Sequence, residues 1–189
     1  LNNRVRVGIV VWPWGAYLGD EGVKKGIRCQ IANVARMSPR SFFPKGKICG
    51  QYVNSIIAKR AAILSGYDEA ILLDDQGYVA EASGENIFAV KGKRLTTPAP
   101  SSPILEGITR RFVRNELCPM LGYQCAEREF AIGELLGADE VFLTGTAAEI
   151  IGVDRVVFLG YHDSGMAGED TNTHAHCFAA APRPGAGCS

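Results

Sequence analysis

Hydrophobic and polar positions alternate in several short runs of the chain and recur with a helical period in others. Ile27, Cys29 and Ile31 alternate with polar neighbours, which predicts a strand with one solvated face. Over residues 51–65 apolar side chains recur at helical spacing and Gly66 follows, which predicts a helix with a left-handed C-cap. Further strands are predicted at 5–11, 69–73, 78–82, 86–90, 94–97, 123–130 and 140–143, and further helices at 108–121 and 132–136. This order of elements predicts a mixed α+β domain without internal repeats.

The composition limits the classes of partner. The chain has 189 residues, 20 Lys+Arg against 20 Asp+Glu, and 47% hydrophobic residues. A zero net charge provides no field to attract nucleic acid or anionic lipid, and the sequence holds no run of about 18 apolar residues to cross a bilayer. The six cysteines are scattered without a C-x-x-C pair or a secretory leader, which favours reduced thiols in the cytoplasm. We therefore expect small-molecule or protein partners, and neither nucleic acid nor membrane.

The composition changes after about residue 154. The segment 160–189 is rich in Gly, Ala, Pro, Asp and His, and 179–189 offers almost nothing with which to build a core. We expect this end to be loosely ordered. The predicted organisation is a domain at 1–151 followed by an atypical tail at 152–189.

All three histidines, His162, His174 and His176, lie in this tail. Residues 1–161 therefore cannot form a Ser-His-Asp triad, a Cys-His pair or a histidine-ligated zinc site. Acid-base chemistry there falls to Lys, Glu, Asp, Tyr or Cys. In the tail, Asp170 with His174 and His176 could bind a metal, but a solvated histidine pair is favoured, and no metal site is predicted.

Two segments carry side chains suited to chemistry on a small ring. Lys47 lies in a loop beside Gly46, and a lysine amine becomes a nucleophile when its pKa is lowered. Glu81 and Glu85 flank the small-residue corner 82–84 between two predicted strands, where a carboxylate can face a bound ring. A solvated surface lysine and a hairpin with solvated acids remain the alternative interpretations.

Two further segments offer backbone N–H donors. Gly107-Ile108-Thr109 opens a predicted helix, and Thr144-Gly145-Thr146 follows a predicted strand. Helix starts and turns of this kind present N–H groups and hydroxyls to a phosphate. Ordinary capping by the threonines explains each segment equally well.

The order and joint occurrence of these segments resemble the fold type IV pyridoxal-phosphate enzymes, and within them most closely the branched-chain amino acid aminotransferases. The likeness runs from about Val5 to Ile150 and rests on Lys47 with Tyr52, Glu81 with Glu85-Asn86, Gly107-Ile108-Thr109-Arg110 and Thr144-Gly145-Thr146-Ala147-Ala148-Glu149, together with segments 12–19 and 52–55. The resemblance implies the large, C-terminal domain of that fold, an α+β domain with a mixed sheet or pseudo-barrel and flanking helices.

The resemblance also implies a role for each candidate residue. Lys47 would bind the cofactor covalently and, once released, carry a proton between the substrate α-carbon and the cofactor. Glu81 would pair with the pyridine nitrogen, and Tyr52 would donate to the phenolic oxygen of the ring. The phosphate would be held by Ile108, Thr109, Gly145 and Thr146, and Thr146 with Ala147 would lie near the substrate carboxylate.

The implied reaction exchanges an amino group between leucine, isoleucine or valine and 2-oxoglutarate, with pyridoxal 5′-phosphate as cofactor. The implied assembly is a homodimer or higher homo-oligomer in the cytoplasm. Family members place a smaller domain ahead of the segment where this chain begins, so we expect impaired turnover. The alternatives are a D-amino acid aminotransferase, an aminodeoxychorismate lyase, or a non-catalytic oligomerising remnant.

The start of the tail has a different likeness. Residues 157–166 resemble a short internal piece of the zinc-dependent amidases and deacetylases related to mycothiol-conjugate amidase. Those enzymes use a His-Pro-Asp-Asp type motif for zinc, which this chain lacks. The resemblance therefore implies a junction between unrelated segments and no amidase activity.

Overall fold

The structure is a computed structural model that describes residues 4–13, 25–147 and 149–157. Its strands are β1 Ile27–Ile31, β2 Glu69–Leu73, β3 Val79–Ala82, β4 Asn86–Lys91, β5 Arg94–Thr97, β6 Gln124–Glu127, β7 Glu140–Gly145 and β8 Glu149–Val157. Its helices are α1 Tyr52–Leu64, α2 Ile108–Phe112, α3 Cys118–Met120 and α4 Ile132–Leu136; a 3-10 turn, Cys49–Gln51, precedes α1, and a π-helical turn, Val113–Leu117, joins α2 to α3. None of the helices in these ranges is long and apolar enough to cross a membrane.

The strands form one mixed sheet in the order β3-β2-β1-β8-β7-β4-β5-β6. Strand β1 runs parallel to both β2 and β8, and β5 runs parallel to β6, while the other neighbouring pairs are antiparallel. The structure therefore confirms the α+β class and the mixed sheet expected from the sequence.

The sheet curls so that its β3 edge returns toward β4. These two strands are consecutive in the chain but lie five places apart in the sheet order. The N–H of Ala82 nevertheless donates to the carbonyl oxygen of Glu85 across the corner between them, at 2.8 Å. The N–H of Val79 donates to the carbonyl oxygen of Phe130 at 3.0 Å, which engages the free edge of β3. The result is a half-barrel whose corner brings the ends of β3, β4 and β7 together.

Three apolar clusters hold the half-barrel together. The largest packs β1 and the centre of the sheet against Phe130 and Leu135 of the α4 region. The second packs Phe88 and Val90 of β4 against Val113 and Cys118 of the helical segment, and the Phe88 and Phe142 rings stack with centroids 4.9 Å apart. The third lies between α1 and β2. Burial of this apolar surface is the main term that stabilises such a sheet-and-helix domain.

Helix α1 confirms the helix expected over 51–65, and Gly66 adopts the left-handed conformation with φ +83°. Its buried positions, however, are Ser55, Ala58 and Ala62, while the large apolar residues of the pattern are exposed. Small side chains let the helix axis approach the sheet closely, so this face packs on β2. The exposed apolar residues are Val53, Ile56, Ile57, Ile63 and Leu64.

The strand predicted at 5–11 is wrong. Residues 4–13 form no regular element, and Val5, Val7 and Ile9 are more than four-fifths exposed. None of the strands in the described ranges pairs with this segment, and β-branched residues form a strand only where a partner accepts their hydrogen bonds. At the other end, β8 continues through the expected domain boundary at residue 151 to Val157. The tail with its histidines, 158–189, lies outside the described residues.

Candidate active site

A cavity of about 290 Å³ lies at the corner of the half-barrel, where β3, β4 and β7 end beside the loops that lead into α1 and α2. All seven residues to which the resemblance assigns a cofactor role line it: Lys47, Tyr52, Glu81, Ile108, Thr109, Gly145 and Thr146. They come from segments far apart in the chain, and the curl of the sheet brings them to one place. Ala147 lies beside the cavity, exposed, and does not line it.

Glu81 forms the buried floor of this cavity. It lies in β3, and only 5% of its surface is exposed. Its Oε1 accepts hydrogen bonds from the guanidinium of Arg36, whose Nε and Nη2 are both 2.9 Å away. Its Oε2 accepts from Nδ2 of Asn86 at 3.1 Å and from the N–H of Leu105 at 3.0 Å. The carboxyl group is therefore fixed in one orientation.

Two opposing effects set the pKa of the Glu81 carboxyl. Burial raises the pKa of this carboxyl to about 7, although the Arg36 guanidinium and the Leu105 N–H act to lower it. A group with this pKa is only partly ionised near neutral pH. A cation brought against either oxygen would favour the carboxylate, because opposite charges attract strongly where water is excluded. The floor of the cavity is thus suited to a cationic N–H on a bound ring.

Arg36 lines the cavity, although the sequence analysis did not single it out. It is 4% exposed in the loop after β1, and its N–H donates to the carbonyl oxygen of Leu73 at 2.7 Å. Its guanidinium also reaches Ser55 Oγ at 3.4 Å and Gln51 Oε1 at 3.4 Å. One buried cation therefore connects the Glu81 carboxyl with the start of α1. The available signal was indirect: a carboxylate buried between the apolar residues of a strand is expected to have a cation or hydrogen-bond donors beside it.

The two lysines of the loop before α1 lie in different environments. Lys45 is tied down, since its Nζ donates to the carbonyl oxygen of Pro100 and pairs with Glu106 Oε1 at 3.2 Å. Lys47 is exposed, and among the described residues no hydrogen bond or ion pair involves its amine. Lys47 is therefore the amine of this loop that can turn toward a ligand.

The anion end of the cavity, at the start of α2, offers N–H donors. Helix α2 begins after Gly107, which is extended and provides no side-chain cap, so capping by Thr109 does not explain this segment. The N–H groups of Ile108 and Thr109 have no acceptor within the helix. The Thr144 Oγ1 atom is buried and without a partner among the described residues, and Thr144 also lines the cavity. A buried hydroxyl of this kind is completed by a ligand or a water.

Asn86 fixes the position of the Glu81 carboxyl relative to the start of α2. Its Nδ2 donates both to Glu81 Oε2 and to the carbonyl oxygen of Leu105, the latter at 2.8 Å. A Cβ atom on Gly107 would lie 2.2 Å from Asn86 Oδ1, so only glycine allows the α2 loop to approach this closely. The spacing between Glu81 and the start of α2 is therefore built into the fold.

Comparison with known proteins agrees with this geometry. The chain matches the family model of amino-transferase class IV over residues 2–156. It is 49% identical over 150 residues to the probable branched-chain-amino-acid aminotransferase of Aquifex aeolicus (strain VF5), an alignment that covers 79% of this chain and 47% of the relative. The chain thus spans about half the length of the curated relatives it matches.

Solved structures give the same result for the fold. The branched-chain amino acid aminotransferase of Escherichia coli superposes with a TM-score of 0.74 and 41% identity over 77% of this chain and 47% of that chain. A further branched-chain amino acid aminotransferase, solved with pyridoxamine 5′-phosphate, superposes with a TM-score of 0.71 and 46% identity over 77% and 47%. The same enzyme was solved with N-(5′-phosphopyridoxyl)-L-glutamate, with a TM-score of 0.68 and 43% identity over 71% and 45%. This chain therefore belongs to the class IV aminotransferase family.

Proposed function

We propose that the chain binds pyridoxal 5′-phosphate in the corner cavity and forms the cofactor-binding part of a branched-chain amino acid aminotransferase. The reaction would exchange an amino group between leucine, isoleucine or valine and 2-oxoglutarate. Relatives named as branched-chain aminotransferases support the reaction, and the complex of one relative with N-(5′-phosphopyridoxyl)-L-glutamate supports glutamate as amino donor.

One observation carries the proposal. A single cavity is lined by the amine of Lys47, which has no partner within the described part of the chain, by the buried carboxyl of Glu81 and by the start of α2. An aldehyde needs an amine as partner, a protonated pyridine nitrogen needs a carboxylate, and a phosphate ester needs N–H donors. The orphaned Thr144 hydroxyl also fits, because a ligand oxygen in the cavity would complete its hydrogen bonding.

Each side chain has a distinct task under this proposal. Lys47 binds the cofactor aldehyde and, when free, moves a proton at the substrate α-carbon. Glu81 accepts a hydrogen bond from the ring nitrogen and keeps that nitrogen protonated, and Tyr52 donates to the phenolic oxygen. When bound, the cofactor supplies a ring that accepts electrons from the α-carbon. The phosphate is held by Ile108, Thr109, Gly145 and Thr146.

The substrate side is formed by the loop that follows β7. Thr146 lines the cavity, and Ala147 is exposed at its edge, where a substrate carboxylate could reach its N–H. Because Ala147 does not line the cavity itself, we assign it to the substrate and not to the cofactor. Apolar residues are scarce in this cavity, so the pocket for a branched side chain must be completed by other residues.

The cavity is open to solvent beside two of its lining residues. Lys47 is exposed, and Ile108 at the start of α2 is 66% exposed. Water at the reacting carbon weakens electrostatic interactions and promotes side reactions. We therefore expect the 189-residue chain to bind the cofactor but to catalyse the reaction slowly.

We also expect the chain to act in the cytoplasm as a homodimer or higher homo-oligomer. Cross-linking and light scattering of the purified chain test the assembly.

The direct test is reduction of the bound cofactor. The purified chain is incubated with pyridoxal 5′-phosphate, reduced with borohydride and digested, and the labelled peptide is identified by mass spectrometry. The proposal predicts stoichiometric label on Lys47, which Lys47→Ala removes and Lys45→Met retains. Absence of label, or label spread evenly over surface lysines, would refute cofactor binding. Assays with L-leucine and a D-amino acid as donors then separate the branched-chain reaction from the related enzymes.

A further inference from the structure

A buried arginine lies at the start of α2, and the roles assigned to the cofactor cavity above do not use it. Arg110 is the third residue of α2, and only 3% of it is exposed. Within the described residues, the cavity is lined by its neighbours Ile108 and Thr109 but not by Arg110 itself. A buried cation costs free energy unless it is paired and hydrogen-bonded. The partners of Arg110 therefore show what this side chain holds in place.

Three hydrogen bonds tie the Arg110 guanidinium to the sheet. Its Nε donates to Thr97 Oγ1 at 3.3 Å, and the Thr97 hydroxyl in turn donates to the carbonyl oxygen of Ile87 in β4 at 2.8 Å. Its Nη2 donates to the carbonyl oxygen of Pro98 at 2.6 Å and pairs with Glu127 Oε1 at 2.8 Å. One side chain of α2 therefore binds the ends of β5 and β6 and is connected through a hydroxyl to β4.

These contacts close the loop that carries the proposed phosphate donors. The chain leaves β5, runs through residues 98–107 and begins α2 at Ile108. Arg110 returns from the first turn of α2 to Pro98, the first residue of this loop. The two ends of the loop are thereby held together against the sheet. The N–H groups of Ile108 and Thr109 keep a fixed direction as a result.

The loop 98–107 has other attachments, which lie on the cavity side or on the surface. Asn86 Nδ2 donates to the carbonyl oxygen of Leu105 at 2.8 Å, and Asn86 lines the cavity. Lys45 pairs with Glu106 at 3.2 Å, where both side chains are substantially exposed. Exposed ion pairs of this kind contribute little to stability. Arg110 adds a buried attachment at the base of the loop, outside the cavity.

Glu127 keeps the Arg110 guanidinium in this orientation. Its Oε1 pairs with Arg110, and its Oε2 pairs with Arg114 of the π-helical turn. Burial acts to raise the pKa of the Glu127 carboxyl, but the hydrogen bonds from the two arginines hold it below its ordinary value, so the carboxylate stays ionised near neutral pH. In the described part of the chain, Arg114 is partly exposed and bonds only to Glu127 and to its neighbour Asn115. Arg114 therefore shares the carboxylate with Arg110 but does not hold the loop.

We propose that Arg110 is a positioning residue of the cofactor cavity, which directs the N–H groups at the start of α2 toward the phosphate by fixing the loop 98–107 to β5 and β6. This inference rests on cofactor binding as proposed above, and it adds a residue that acts through Ile108 and Thr109 and not by touching the cofactor. The hydrogen bonds of Arg110 go to the loop and the strand ends. Its loss should therefore weaken the hold on the phosphate and leave the attachment of the aldehyde to Lys47 unchanged.

The test compares pyridoxal 5′-phosphate with pyridoxal, which lacks the phosphate. The dissociation constant of each is measured by absorbance titration for the unmodified chain, for Arg110→Met and for the matched control Arg114→Met. In Arg110→Met we expect the affinity for pyridoxal 5′-phosphate to fall about tenfold and that for pyridoxal by less than about twofold, because hydrogen bonds to the charged phosphate are misplaced. Arg114→Met should bind both ligands like the unmodified chain.

Equal losses of affinity for the two ligands in Arg110→Met would overturn the proposal, because a residue that only stabilises the fold affects both. Unchanged affinity for pyridoxal 5′-phosphate would overturn it as well. If Arg110→Met does not fold, Glu127→Ala replaces it, since this variant removes the carboxylate that orients Arg110 and leaves the arginine in place. We expect a smaller loss there, confined to the phosphorylated ligand, and the absence of any difference between the ligands would refute the proposal.

A second measurement requires no cofactor. Hydrogen exchange of the free chain, followed by mass spectrometry, reports on N–H groups that are bonded within this region, such as those of Ser102 and Arg111, which donate to the carbonyl oxygens of Ala99 and Gly107. Arg110→Met should accelerate exchange in peptides that cover residues 98–112, and Arg114→Met should not. Unchanged exchange in Arg110→Met would contradict the positioning role. If exchange responds as expected but the unmodified chain binds neither ligand, the proposed function fails while the role of Arg110 in fixing the loop stands.

Discussion

The two walls of the corner cavity differ in how far they are fixed before any ligand arrives. The sheet wall contains Arg36, Glu81, Glu85 and Asn86, each 6% exposed or less and each held by hydrogen bonds. The loop wall contains Lys47 and Ile108, which are exposed, and the loop from Ile48 to Gly50 between Lys47 and α1 is exposed as well. Under the proposed function, the sheet wall would determine what the cavity binds, and the loop wall would determine whether water reaches the reacting atom.

This difference separates binding from turnover. A pre-organised carboxyl orients a ring without rearrangement, so affinity depends on the sheet wall. The proton transfer proposed for Lys47 would need a protected environment, which an exposed loop does not provide. We therefore expect substitutions in the sheet wall to change cofactor affinity and stability together, and substitutions in the loop wall to change neither by much unless they remove Lys47.

The largest effect is expected for Arg36→Met. Removal of one partner from a buried ion pair leaves the Glu81 carboxyl without a cation and typically costs about 3–5 kcal/mol of stability. We expect the free energy of unfolding in urea to fall by about this amount, and cofactor affinity to fall with it. The double variant Arg36→Met/Glu81→Gln should recover much of the stability but not the affinity, because the amide needs no cation and cannot hold the ring nitrogen protonated. Additive losses in the double variant would argue against the pair.

Gly107→Ala tests the contact between the anion end and the carboxyl end. The new Cβ would lie 2.2 Å from Asn86 Oδ1, so the side chain that orients Glu81 must move. Overpacking of this kind costs about 1–3 kcal/mol of stability. We expect the free energy of unfolding of the variant, measured by thermal denaturation, to fall by about this amount. The matched control is Gly133→Ala in α4, where a Cβ meets nothing within 4 Å. That control should gain up to about 1 kcal/mol from helix propensity.

Thr144→Val should raise the stability of the chain and lower its affinity for the cofactor. The Thr144 hydroxyl is buried and, among the described residues, unpartnered in the cofactor-free chain, and such a group costs about 1–3 kcal/mol. Valine has nearly the same shape without the hydroxyl, so the cofactor-free variant should melt at a higher temperature. Its affinity for pyridoxal 5′-phosphate should fall several-fold, since a hydrogen bond to the ligand is lost. A variant that is stabilised but binds normally would show that this hydroxyl faces a water and not the cofactor.

The smallest effect is expected in the loop wall. Cys49 is exposed in the 3-10 turn that follows Lys47, and among the described residues it is a free thiol. Surface substitutions of this kind usually change stability by less than about 0.5 kcal/mol, so Cys49→Ser should match the unmodified chain in urea unfolding. It should also leave the borohydride label on Lys47 intact. A large loss in either measurement would mean that the loop wall is packed more tightly than its exposure indicates.

The sequence predicted the bounds of helices and strands better than it predicted which of their residues are buried. The strand 27–31 and helix 132–136 were expected at their observed bounds, because alternation and short helical runs are local signals. The burial of Ala58 instead of Ile57 in α1 was not expected, since which helix face packs depends on the sheet beneath it. The strand prediction for 5–11 was wrong because strong strand propensity produces a strand only where a partner strand exists.

The site shows the same limit. Chemistry-bearing residues such as Lys47 and Glu81 could be selected because their types and order are informative in the sequence. Arg36 could not, because a single arginine in a loop has no local pattern that indicates burial against a residue 45 positions away.

The most direct measurement is a crystal structure of the chain after pyridoxal 5′-phosphate has been fixed by borohydride. The account predicts one small ring between the two walls, bonded to Nζ of Lys47 at one edge. At the opposite edge its nitrogen should lie within about 2.7–3.2 Å of a Glu81 carboxylate oxygen. A ring attached elsewhere, or one that leaves Glu81 bound only to Arg36, Asn86 and Leu105, would contradict the account.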